Sequence, residues 1–158
     1  MLVDATKQQQ NTFENAVKAA LGRLKSKKFS DCGKLFGGQA GIDALLGASY
    51  RYDTDPTLVA MPGAAAETDR ANRSVTINLA GPFFAQVQTL SNGQKMDYGA
   101  SLGLRGTDFR AFILLHELGH LTGVYGPTDN DGTNRDNQIT NSTTVLKDCY
   151  GKDFNPNP

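Results

Sequence analysis

The sequence predicts an α+β fold in a single domain spanning residues 1–158, and three observations carry that prediction. Stretches near the start, near the end and at residues 108–122 repeat apolar side chains at helical spacing. Residues 74–79, Ser-Val-Thr-Ile-Asn-Leu, alternate polar and apolar as a half-buried strand does. The length of 158 residues suits one hydrophobic core. The expected architecture is a small mixed or antiparallel sheet packed on an N-terminal helix and on a central helix. Residues 1–11 and 151–158 are expected to be frayed tails.

The elements follow in order. Residues 12–26 place Phe13, Val17, Ala20, Leu21 and Leu24 on one helical face, with Asn11 or Thr12 positioned to cap it. Ser30 or Asp31 opens a short helix through Leu35 and Phe36, which Gly37 and Gly38 end. Residues 42–46 read as a further helical turn stopped at Gly47. Residues 48–52 alternate as a strand, and residues 57–61, between Pro56 and Pro62, read as a second. In residues 74–79, Val75, Ile77 and Leu79 form the buried face and the residues between them the wet face. Residues 63–73 and 91–106 have no apolar period and read as loops. Thr107 is placed to cap a helix over residues 108–122, with Asp108 in its first turn and Gly123 at its end. That helix is apolar nearly all round, which belongs in a protein interior. A turn-rich loop follows, then a last helix over about residues 140–150.

Composition narrows the function. Sixteen basic and sixteen acidic residues cancel, and no basic block stands out, so a nucleic-acid partner is not expected. Lys25, Lys27 and Lys28 gather at a predicted helix end, where cations suit the helix dipole. No apolar run approaches membrane-spanning length, and residues 1–10 lack the apolar stretch of a signal peptide. Cys32 and Cys149 either stay as buried thiols or pair. Paired, they close a loop worth about 4–5 kcal/mol in the loop-entropy account. The abundance of Gly, Asn, Thr and Ser favours the pair and a secreted, monomeric protein whose signal peptide is not in this chain.

The chemistry is concentrated in one pentapeptide. The chain has two histidines, and both lie in His116-Glu117-Leu118-Gly119-His120. Residues four apart on a helix share a face, so the two imidazoles can offer lone pairs to one metal ion. A histidine pair on a buried helix has lost its water and needs a partner, which a metal would supply. Glu117, offset around the helix, can act as general base toward a water activated by zinc. Catalytic zinc takes three protein ligands. No third histidine exists, and no glutamate follows Glu117.

The stretch His-Glu-Leu-Gly-His-Leu-Thr-Gly, residues 116–123, resembles the active-site segment of the zincin metallopeptidases. Gly123 is similar to the helix-ending glycine of the metzincin branch, although Gly126 stands where that motif continues to its third ligand. Asp129, nine residues beyond His120, resembles the aspartate ligand of the aspzincins. The whole segment is also similar to a group of secreted bacterial proteins carrying the same eight residues. The resemblance implies a zincin-like fold and a zinc-dependent endopeptidase acting on peptides or proteins. Asp129 is the first expectation for the third ligand, followed by Asp131 and Asp136. Tyr125, the tyrosine nearest the motif, is the expected second donor to the oxyanion. Zincins bind substrate along a strand edge, and residues 75–79 are the expected edge. The loop from Asp129 to Asp136 also resembles a calcium-binding loop, so calcium is carried as an alternative cation. The alternative function is a non-proteolytic zinc- or calcium-binding secreted module.

Overall fold

The motif helix lies at the centre of the computed structural model, which describes residues 4–54 and 64–158. The described helices are α1 (Lys7–Leu24), α2 (Ser30–Leu35), α3 (Gln39–Gly47), α4 (Gly106–Thr122) and α5 (Arg135–Tyr150). The described strands are β1 (Ser49–Asp53), β2 (Ala66–Asp69), β3 (Ser74–Asn78), β4 (Val87–Thr89) and β5 (Lys95–Asp97). The architecture is α+β, as the sequence predicts. Along α4, Ala111, Leu114, Leu115 and Leu118 are buried, and the helix packs on α1, α3, α5 and β2. Burying large aliphatic side chains of this kind contributes roughly 1.5–3 kcal/mol each. Removing α4 would therefore remove the core itself.

The N-terminal helix begins earlier than its apolar pattern. Thr6 caps α1 by accepting from the Gln9 N–H, and the Gln9 side chain accepts from the Thr6 N–H in return. Residues 7–11 carry no apolar side chain, so periodicity alone could not see this extra turn. The expected N-terminal tail is thus ordered from Thr6 onward. The C-terminal residues 151–158 form no helix or strand, yet they are docked rather than frayed. Lys152 donates to the Gly103 carbonyl, the Asn155 N–H donates to the Ser101 carbonyl, and Phe154 packs against the core.

Cys32 and Cys149 form a disulfide that joins α2 to α5. The first helix is held to the same point by Arg23. Its guanidinium donates to the Cys149 carbonyl, lies 4.3 Å from the Tyr150 ring centroid and pairs with Asp108 at 3.5 Å.

The three-stranded sheet has the order β1-β3-β2, with β1 parallel and β2 antiparallel to β3. It meets α1 through Phe13, whose ring centroid lies 4.9 Å from that of Tyr50. Strand β3 is the central strand, not the edge. Its expected wet face is covered as well: Ser74 and Asn78 are buried with Val75 and Ile77. The edge strand beside α4 is β2, whose sequence reads as loop. Ala66, Glu67, Thr68 and Asp69 have neither β-branched alternation nor an apolar period, and backbone pairing to β3 holds them. The hairpin β4–β5 lay inside weakly patterned sequence in the same way. The strand expected at residues 57–61 lies outside the described residues. Among the described residues no helix is long and apolar enough to cross a membrane.

Candidate metal centre

Helical geometry brings the His116 and His120 rings to a centroid separation of 5.4 Å on one face of α4. Gly119, between them in sequence, is set by what crosses the helix there. A Cβ at Gly119 would lie 2.0 Å from the Tyr125 ring, so only glycine lets that ring seat. Glycine inside a helix costs about 1 kcal/mol relative to alanine, and here the close approach explains it. Tyr125 is buried, and its hydroxyl donates to the His116 carbonyl at 2.6 Å. Burial and the nearby Glu117, Asp131 and Asp129 charges push that phenol well above its ordinary pKa. Tyr125, the expected oxyanion donor, is not among the residues lining the cavity beside the histidines. Its hydroxyl is committed to backbone, and the residue positions the histidine helix.

After Thr122 the chain reverses at Gly123, whose φ of 72° is the left-handed conformation that ends helices. The following loop returns its carboxylates to the histidines. Asp131 Oδ2 lies 3.0 Å from His116 Nε2, and Asp131 Oδ1 lies 3.0 Å from His120 Nε2. Among the described residues, His116, His120 and Asp131 form the group whose donor atoms converge closely enough to hold one ion. The two Nδ1 atoms face away from it. His120 Nδ1 lies 2.9 Å from Asp129 Oδ1, and His116 Nδ1 lies 3.2 Å from Ser142 Oγ. This reverses the order expected of the aspartates. Asp129 orients a histidine from behind, and Asp131 completes the donor set. Asp136 stands apart, exposed in the first turn of α5, where a carboxylate suits the helix dipole. The carboxylates of Asp129, Asp131 and Asp136 do not wrap a common point as a calcium loop requires.

Sequence reasoning missed Asn141 and Ser142, which lie on consecutive positions of α5. Asn141 is 2% exposed and donates both to the Thr128 carbonyl and to Asp131 Oδ2, each at 2.9 Å. It also accepts from the Thr128 hydroxyl at 2.5 Å. The returning loop is thus pinned to the helix that the disulfide anchors. An asparagine interrupting the inward face of α5, one turn before Val145, was the available signal. No buried side-chain nitrogen or oxygen among the described residues lacks a partner.

Glu117 is buried at the floor of a cavity of about 430 Å³ that contains all three convergent residues. Its Oε2 accepts from the Thr68 hydroxyl of β2 at 2.6 Å. Desolvation alone would lower the His120 pKa, but the Asp131 hydrogen bond, the Glu117 charge and Asp129 push it up to about 9. Burial would raise Asp131, but its hydrogen bonds with His116, His120 and Asn141 hold it well below the usual carboxylate range. Glu67, lining the same cavity, is raised by burial and by the Glu117 and Asp69 charges. Comparison with protein-family models, curated proteins and solved structures finds no significant match to the chain.

Proposed function

We propose that this protein is a zinc-dependent endopeptidase of zincin type, with His116, His120 and Asp131 as the metal ligands and Glu117 as the general base. The observation that carries the reading is the opposed facing of the imidazole nitrogens. Both Nε2 atoms meet the two oxygens of one carboxylate, while both Nδ1 atoms are held from behind by Asp129 and Ser142. Metal-ligating histidines are oriented this way, by a partner on the ring nitrogen that does not coordinate. Two imidazoles and one carboxylate suit zinc, whereas calcium takes six to eight oxygens. A three-residue set leaves room for water, which a catalytic site needs and a closed structural site does not.

Zinc held there supplies a Lewis acid that polarises the scissile carbonyl and makes water acidic enough to attack it. The residues of this chain do the rest. Glu117 takes the proton from the attacking water and delivers it to the leaving amine. Thr68 fixes the carboxylate by donating to Oε2. The cavity is bounded on one side by β2, whose outer edge has no strand partner among the described residues. An extended peptide can add to such an edge through backbone hydrogen bonds. The disulfide supports action outside the reducing cytosol and hence secretion.

The test is metal analysis joined to turnover. Protein purified with zinc supplied is expected to hold one equivalent and to cleave a mixed peptide library, with cleavage lost to a chelator and restored by zinc. Glu117→Ala is expected to keep the zinc and lose turnover by at least about a thousandfold. Equal turnover in wild type and Glu117→Ala would reject the mechanism. Zinc without any turnover would favour the non-proteolytic module.

A further inference from the structure

Arg70 is the one arginine or lysine among the described residues lining the cavity, and among the described residues no ion pair or hydrogen bond engages its side chain. It is nevertheless placed. Its guanidinium fills the space a Cβ would occupy at Gly123, with Nη2 2.3 Å from that position. Gly123 ends α4, so the cation rests against the negative end of the helix dipole. Arg70 opens the turn directly after β2, two residues beyond Thr68, and both side chains line the cavity beside α4. Thr68 marks the catalytic carboxylate. Arg70 therefore stands beyond the carboxyl end of the edge strand, past Thr68 in the direction β2 runs. A planar guanidinium seated against Gly123 and lining the cleft is a fork that matches a carboxylate.

On the endopeptidase reading, we propose that Arg70 selects a substrate carrying a carboxylate side chain one or two residues to the amino side of the scissile bond. The side follows from strand pairing. A peptide added to β2 in the more stable antiparallel sense runs opposite to it, so residues beyond Thr68 face the acyl portion. Glu67 lines the same cavity with a negative charge. The preference is therefore tied to position and is not a general taste for acidic peptides.

The experiment uses quenched-fluorescence peptides with Glu, Lys or Ala scanned over three positions on each side of one cleavable bond. Zinc-loaded wild type, Arg70→Glu and Arg70→Gln are compared, with zinc content and melting temperature measured for each. Wild type is expected to favour Glu over Ala by about fivefold in kcat/KM at the amino-side positions, a size fitting a partly exposed pair. Arg70→Gln should lose that preference, and Arg70→Glu should turn it toward Lys. An unchanged profile in both variants, a Glu preference on the carboxyl side, or loss of stability alone overturns the assignment. If zinc-loaded wild type cleaves nothing, the peptidase reading fails. Fluorescence anisotropy of the same Glu and Lys peptides then tests Arg70 separately. Tighter Glu-peptide binding that Arg70→Glu reverses supports it, and equal binding overturns it.

Discussion

The two walls of the cleft are built by different means. On one wall, α4, α5 and the loop between them present the candidate metal-binding face, and the side chains there are held by one another. Asp131 is held by Asn141, His120 by Asp129, His116 by Ser142, and α5 by the disulfide. On the other wall, β2 is a four-residue edge strand with half-buried and exposed side chains. Thr68 gives its hydroxyl to Glu117, and Glu67 and, from the turn after the strand, Arg70 line the cavity. A cation site needs donor atoms fixed to within a fraction of an ångström, and packing supplies that. A surface that must admit varied chains is better served by an open backbone edge. On the proposed reading, the helical wall carries the chemistry and the strand wall the selection.

The comparison breaks most readily at Asp131. Asp131→Ala is expected to abolish stoichiometric zinc, while Asp129→Ala keeps zinc with an affinity weakened about 10–100-fold. Competitive titration against a chromophoric chelator measures both, and equal losses would erase the distinction between donor and orienter. Next in size is the disulfide. Removing it with Cys149→Ser is expected to lower unfolding stability by about 3–5 kcal/mol in denaturant titration. The helical wall should suffer first, seen as weaker zinc retention before global unfolding.

Proton competition gives the third expectation. His120 must lose its proton to bind metal, and its metal-free pKa is about 9. Apparent zinc affinity should therefore rise about tenfold per pH unit up to that value. The sign for stability is opposite in the metal-free protein. A histidine raised above its ordinary 6.5 stabilises fully below that value, and the contribution is lost as pH rises through about 9. Melting of chelator-treated protein should accordingly fall from pH 7 to pH 10. The smallest effect belongs to the strand wall. Thr68→Val should lower kcat about tenfold, the size of one hydrogen bond to a charged group. KM and zinc content should hold, and Thr68→Ser should restore the rate.

The same contrast explains what was legible in the sequence. His116, Glu117 and His120 were readable because helical geometry converts their spacing into a shared face without help from the rest of the chain. The Gly123 stop was readable for the same local reason, but the start was not: α4 opens at Gly106 behind Arg105 with no side-chain cap, so Thr107, expected as the cap, lies inside the helix. The choice between Asp129 and Asp131 was not. They are two residues apart in a loop without period, and the register that aims one at Nε2 and the other at Nδ1 is set by Asn141 and Thr128. Strand β2 was hidden because pairing to β3, rather than its own side chains, makes it a strand. Tyr125 was named for its proximity. Its role depends on Gly119, whose missing Cβ has meaning only once the ring is seen across it.

The acidic character of β2 carries a last consequence for how copies of this molecule behave together. An open strand edge is an invitation to a second identical edge as much as to a peptide. Were two copies to join there in antiparallel fashion, Glu67 and Asp69 of each would be brought close to the same pair of the other. Like charges facing across such a seam repel. The two acidic side chains of β2 thus disfavour the pairing of two copies edge to edge.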